Sequence, residues 1–182
     1  MNKAIFLDRD GTINVDVHFL HEIEKLQFID GVPRALSRLK QSGYKLIVIS
    51  NQSGIARGYY GADEVERLHK YMNDRLLSMG TRIDAFYYCP HDEKANCECR
   101  KPKPGLIKKA AAEWDIDLEQ SYMVGDKETD IIAAQNAGCG YGLLLSGHDV
   151  SDEVVRRYSG HIYKNLGDFA EMIEKGALHA DE

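Results

Sequence analysis

Short apolar runs alternate with amphipathic stretches along the whole chain. Ala4-Ile5-Phe6-Leu7 and Leu46-Ile47-Val48-Ile49 are continuous apolar runs of the length of buried parallel strands. Ala85–Cys89, which is rich in aromatic residues, Tyr122–Val124, Tyr141–Leu145 and 161–163 read as further strands. Between these runs, apolar residues recur at helical spacing. Val32, Ala35, Leu36 and Leu39 share one face of a helix over 32–42, with Gly43 placed to cap it. Val65, Leu68, Met72, Leu76 and Met79 line one face of a helix over 62–79. Further helices are predicted over 104–114, where Pro104 suits the first turn, over 128–137 ending at Gly138, over 151–157 and over 166–175. Strand and helix alternating in this way build βαβ units, so the fold class is α/β, a doubly wound, Rossmann-like parallel sheet covered on both faces. No linker, repeat or low-complexity stretch interrupts the pattern, and residues 1–182 are predicted to form a single domain.

Composition narrows the classes of function. The 182 residues suffice for one well-buried core, and 43% hydrophobic with 29% charged residues is ordinary for a soluble protein. The apolar runs fall well short of the roughly 20 residues of a membrane span. Residues 1–7 lack the apolar region of a signal peptide, so a cytoplasmic location is expected. A net charge of -6 argues against nucleic-acid binding but leaves room for a small anionic substrate held by a local cluster of Lys and Arg. No feature points to a membrane or to an obligate protein partner.

The candidate chemistry lies where the strands end. Asp8 and Asp10 follow the first strand, Ser50 and Asn51 the second, and Gly125-Asp126 the fourth. In open α/β sheets, that edge binds ligands. Extended alternation puts Asp8 and Asp10 on one side and Arg9 on the other. Two carboxylates so placed call for a cation, and a hard ion such as Mg2+ takes oxygen ligands. Asp8 and Asp126 are predicted to ligate it, with the Asp10 carbonyl as a third protein ligand. With the site neutralised, Asp8 can attack phosphorus and form an aspartyl-phosphate, while Asp10 protonates the leaving oxygen and then activates water. Ser50 and Asn51 offer hydrogen bonds to the transferring group. Arg100-Lys101-Pro102-Lys103 precedes a helix and supplies candidate cations.

Three of the four cysteines fall within eleven residues, as Cys89-Pro-His91 and Cys97-Glu-Cys99. In a reducing compartment this spacing reads as a tetrahedral Cys3His zinc site, closed and therefore structural. Cys99 immediately precedes Arg100 and Lys101, so zinc over 89–99 would fix the backbone that presents both cations. Cys139 stands apart and reads as a small buried residue.

The motifs taken together resemble the haloacid-dehalogenase-like phosphatases over nearly the whole chain. Asp-Arg-Asp-Gly-Thr at 8–12, Ser50, Lys101 and the Gly-Asp…Asp pattern at 125–130 occur in the order of that superfamily's four motifs. The segments 7–14, 50–58, 88–91, 97–102 and 122–127 resemble the heptose bisphosphate phosphatase family, and the Arg-Lys-Pro-Lys run also resembles the histidinol-phosphate phosphatase domain. The resemblance implies that Asp8 is the nucleophile and Asp10 the acid/base. It makes Asp126 the third Mg2+ residue and Ser50 and Asn51 the phosphoryl-positioning pair. Arg100 becomes a substrate-binding arginine, Lys101 the charge-balancing lysine, and Lys127 a further contact. Asp130 would orient the lysine or a metal-bound water rather than bind metal directly. Asp16, Val17, His18 and Phe19 would line the substrate, as would Gln52 and Ser53, and Arg57 would meet the sugar or its far phosphate. The implied substrate is a small sugar bisphosphate, with histidinol phosphate as the alternative. The spacings 8–50 and 51–100 leave no room for a large cap domain. Two other classes fit less well. A phosphorylatable receiver has no use for an acid/base two residues after Asp8, and a zinc module binding nucleic acid conflicts with the acidic charge.

Overall fold

The structure, a computed structural model, describes residues 1–180. Six strands form one parallel sheet in the order β3-β2-β1-β4-β5-β6. They are β1 (Lys3–Leu7), β2 (Tyr44–Asn51), β3 (Ala85–Cys89), β4 (Tyr122–Gly125), β5 (Gly140–Leu144) and β6 (Ile162–Tyr163). The helices between them are α1 (Val32–Gln41), α2 (Ala62–Leu77), α3 (Gly105–Glu113), α4 (Glu128–Ala137) and α5 (Asp152–Arg157), with α6 (Leu166–Ala180) following β6. This is the Rossmann strand order. The chain reverses direction across the sheet between β1 and β4, so a crevice opens at their C-terminal ends.

Alternation along β1 and β2 divides the core into two layers. Ile5, Leu7, Leu46 and Val48 pack on one face against α1, α2 and α6 through Leu36, Leu68, Met72 and Phe169. Ala4, Phe6, Ile47 and Ile49 face the other way onto α3 and α4 through Ile107, Ala110 and Ala134. Cys139 is buried in this second layer. Between β1 and β2 stands only a loop with a single 3-10 turn, Ile23–Lys25, followed by α1. No cap covers the crevice from this interval.

Two expectations need correction. The helix predicted over 62–79 stops at Leu77, and Met79 is 46% exposed rather than on the buried face. Gly80 takes a positive φ of 84°, and Gly80 and Thr81 donate their N–H groups to Leu77 and Leu76. That Schellman closure ends the helix two residues before the apolar pattern does. Strand β2 is longer than its apolar run. Ser50 and Asn51 stay paired with Tyr88 and Cys89 of β3, so the ladder runs on into polar sequence.

Candidate active site and zinc loop

Strand β1 ends at Leu7, and the backbone N–H of Asp8 donates to the Val124 carbonyl of β4 at 3.1 Å. Asp8 is thereby seated at the point where the sheet reverses. Lys101 reaches it from the far side. Its Nζ donates to Asp8 Oδ1 at 2.9 Å, to Asp130 Oδ1 at 2.7 Å and to the Ile49 carbonyl at 2.7 Å. Burial works against an Asp8 charge, but Lys101 and Lys127 outweigh it and hold its pKa below the ordinary value. Burial likewise opposes the Lys101 charge, which Asp130 and Asp8 more than restore. The result is a buried, ionised carboxylate with a lysine fixed beside it.

Asp126 completes the group. Oxygens of Asp8, Asp126 and Asp130 lie within 4.8 Å of one another. Burial, and then the Asp8 charge, raise the Asp126 pKa to about 8. Its Oδ1 is buried and has no hydrogen-bond partner among the described residues. A buried carboxylate oxygen without a donor fits a cation. Both Asp130 oxygens are already engaged, Oδ1 by Lys101 and Oδ2 by the Lys127 backbone N–H at 3.1 Å. The donors therefore fit Mg2+ at Asp8 and Asp126, with Asp130 holding the lysine. Gly11, at φ 81°, permits this crowding, because a Cβ there would overlap Asp126 Oδ2.

The structure departs from simple alternation at Arg9. The chain turns immediately after the strand, and the Arg9 guanidinium hooks back to Asp10 Oδ1 through Nε at 3.3 Å and Nη2 at 3.1 Å. Asn14 Nδ2 donates to the same oxygen at 3.0 Å, and Gln52 Nε2 to Asp10 Oδ2 at 3.2 Å. Gln52 also donates to Ser50 Oγ at 2.6 Å, and its Oε1 accepts from Tyr60 Oη at 2.7 Å. Gln52 thus ties the two strand-end motifs together. Arg9 Nη1 also lies 3.1 Å from His69 Nε2, and Arg9, Asn14, Tyr60 and His69 are the parts of this network that the sequence did not single out. Asn51 also differs from expectation. Its side chain clamps the Lys101 backbone, with Oδ1 accepting from the N–H at 3.0 Å and Nδ2 donating to the carbonyl at 3.1 Å.

Two small cavities adjoin these groups. One of about 50 Å3 is lined by Asp8, Asp10, Asn51, Lys101, Lys127, Thr129 and Asp130. The other, about 170 Å3, is walled by Asp10, Asp16, His18, Phe19, Asn51, Gln52, Ser53, Tyr60 and Lys127. Six of the predicted substrate residues, together with Asn51, therefore surround one space beside Asp10. His18 and Phe19 both adopt positive φ, near 58° and 56°, and the His18 N–H donates to Asp16 Oδ1. The Phe19 ring meets Tyr59 edge-on at 4.9 Å, and Arg57 lies 5.7 Å above it. Val17 is exposed and not in this wall. Arg100 is also outside it, paired with Glu93 Oε1 at 3.2 Å on the zinc loop.

Cys89, His91, Cys97 and Cys99 converge as predicted. Their Sγ atoms are 3.0 to 3.6 Å apart, and His91 Nδ1 lies 3.4 Å from Cys89 and 3.3 Å from Cys99. Zinc–sulfur bonds of about 2.3 Å in a tetrahedron put sulfurs roughly 3.7 Å apart, so the cluster fits zinc with slight expansion. The Gln52 N–H donates to the Cys89 carbonyl at 2.8 Å, which ties the cluster to the Ser50 strand end.

Comparison with known proteins agrees with this geometry. A family model described as HAD-hyrolase-like matches residues 98–169. The D-glycero-beta-D-manno-heptose-1,7-bisphosphate 7-phosphatase of Pasteurella multocida is 41% identical over 180 residues, 96% of this chain and 98% of that protein. The enzyme of the same name from Helicobacter pylori is 44% identical over 174 residues, covering 95% and 96%. A crystal structure of the D,D-heptose 1,7-bisphosphate phosphatase from B. bronchiseptica, complexed with magnesium and phosphate, superposes with a TM-score of 0.86 at 32% identity, over 96% of this chain and 99% of that one. Among the described residues, no helix is long and apolar enough to cross a membrane. The chain belongs to the heptose-1,7-bisphosphate 7-phosphatase family of haloacid-dehalogenase-like phosphatases.

Proposed function

We propose that the protein is a Mg2+-dependent phosphatase that removes the 7-phosphate of D-glycero-D-manno-heptose 1,7-bisphosphate and leaves heptose 1-phosphate. The observation that carries the reading is the ionised Asp8, held by Lys101 beside an Asp126 oxygen that lacks a partner. Asp8, Asp126 and the Asp10 carbonyl would hold Mg2+, which when bound neutralises the carboxylates and an incoming phosphate. Asp8 attacks phosphorus, and the bond to the sugar oxygen breaks as Asp10 protonates that oxygen. Asp10 then takes a proton from water, which attacks the aspartyl-phosphate and frees Asp8 with inorganic phosphate. Lys101 and the Ser50 hydroxyl face the phosphoryl oxygens as their charge grows.

The remaining residues bind the sugar. Asp16, His18, Phe19, Gln52, Ser53 and Lys127 surround the cavity next to Asp10, and the exposed Val17 follows Asp16 in the same loop. Arg57 and Arg100 supply charge for the second phosphate. Zinc held by Cys89, His91, Cys97 and Cys99 is structural, since four protein ligands leave no open position.

Phosphate release from both anomers of the heptose bisphosphate, compared with histidinol phosphate and common sugar monophosphates, tests the reading. The heptose bisphosphate should give the highest kcat/KM. Predominant turnover of histidinol phosphate overturns the substrate, and a single stoichiometric phosphorylation without turnover overturns the enzyme.

A further inference from the structure

We infer that the loop after β5, Leu145–His148, is a strap that holds the Asp126 carboxylate for its metal, with His148 as a positioning residue. The inference rests on Mg2+ binding at Asp8 and Asp126. Strand β5 pairs with β4 in register up to Gly125↔Leu143, so the loop after Leu144 emerges next to Asp126. There Gly147 packs so tightly that a Cβ would overlap both the Gly11 carbonyl and the Asp126 side chain. Only glycine seats the strap this closely. The next residue then reaches the carboxylate, with His148 Nδ1 3.0 Å from Asp126 Oδ2. With Mg2+ bound, Asp126 is ionised and can only accept, so Nδ1 donates.

The two oxygens of Asp126 are therefore divided. Oδ2 is held by His148, while Oδ1 is buried and has no partner among the described residues. A metal ligand that binds through one oxygen needs this division. The outer hydrogen bond fixes the torsion of the carboxylate, and the inner oxygen stays open for the ion. Without His148 the carboxylate can rotate, and Mg2+ binding must then pay for ordering it. Loss of such an outer partner typically weakens metal binding 10- to 100-fold. His148 is 45% exposed and competes with water for the bond, which places the expected effect near the lower limit, about tenfold.

Titrating Mg2+ into the zinc-loaded full-length enzyme by isothermal calorimetry tests the strap. His148→Ala should raise the Kd for Mg2+ about tenfold, and the Mg2+ concentration for half-maximal activity should rise in parallel. His148→Gln keeps an N–H donor and should recover most of the affinity, which a merely structural role for the loop would not produce. Gly147→Ala should weaken Mg2+ binding as His148→Ala does. An unchanged Kd in His148→Ala overturns the proposal, and tighter binding also overturns it by making His148 a competitor of the metal. Wild-type enzyme that binds no Mg2+ overturns the metal reading beneath it.

Discussion

Arg9 has no solvent exposure and stands between the two aspartates of the first motif. A guanidinium does not give up its charge, so burial demands acceptors on every side. It finds Asp10 Oδ1, the Leu20 carbonyl at 3.0 Å and, for Nη1, His69 Nε2 at 3.1 Å. Burial and then the Arg9 charge push the His69 pKa down to about 3, which keeps the ring neutral and able to accept. This arrangement was not legible in the sequence, because two-residue alternation holds only while the chain is extended, and β1 ends at Leu7. The aspartates themselves were legible, since their position after an apolar run requires no long-range contact. His69→Phe keeps the stacking on Phe86, whose ring centroid is 4.3 Å away, but leaves Nη1 without an acceptor. It should cost about 2 kcal/mol at pH 8 in urea unfolding. The folded pKa of His69 lies below the ordinary 6.5, so its contribution is present above pH 6.5 and is lost as pH falls toward 3. The variant lacks that loss, and the gap between the two proteins should narrow below pH 6.5. A gap that stays constant from pH 8 to pH 5 refutes the account.

The zinc loop shows what can be read at the level of elements. Cys-x-His and Cys-x-Cys spacing marks four candidate ligands without any knowledge of the fold, because metal chemistry is local. What the spacing conceals is where the loop returns. Asn51 pairs with Cys89 across β2 and β3 and also clamps the backbone of Lys101, so both ends of the loop are fastened to one strand end. The ladder running past the apolar part of β2 makes this possible, and an apolar run cannot reveal polar residues that remain in a strand. The same blindness placed Met79 on a buried face, although the helix ends at Leu77 and the left-handed Gly80 closes its last turn. Arg100 and Lys101 likewise look equivalent in sequence, yet one is buried against Asp8 and the other pairs with Glu93. Stripping zinc should release the loop and withdraw Lys101 from Asp8. Turnover should fall about 100-fold, unrescued by Mg2+ and restored by zinc. Hydrogen exchange should show protection lost over 89–103 and kept in β1 and β4. Full activity in zinc-free protein overturns the link.

At the scale of the whole molecule, the site carries charges that oppose folding unless a cation balances them. Three carboxylates, Asp8, Asp126 and Asp130, are buried together, Lys101 pairs with only Asp8 and Asp130, and Lys101 with Lys127 cannot neutralise them all. Asp126 bears the excess, and its pKa near 8 stands far above the ordinary 3.8. A raised folded pKa means that the native state holds its proton longer than the unfolded chain does. Its contribution is therefore present in full below pH 3.8 and is lost as pH rises through about 8. His69 pulls the other way only below its ordinary pKa of 6.5, and the cysteine thiols, with Cys97 lowered to about 6, titrate alike in wild type and Asp126→Asn, so the difference between those two proteins from pH 6.5 to 8 isolates Asp126. Zinc-loaded protein dialysed free of Mg2+ should lose on the order of 1–2 kcal/mol relative to Asp126→Asn across that interval. Mg2+ should reverse the loss, stabilising more at pH 8 than at pH 6.5, where a proton must first be displaced. Calorimetry in buffers of different ionisation enthalpy should record proton release on Mg2+ binding at pH 6.5 that fades toward pH 9. A stability difference from Asp126→Asn that is flat with pH in the Mg2+-free protein, or Mg2+ binding without proton release at pH 6.5, would show that Asp126 is already ionised and that the buried charge is balanced by the protein alone.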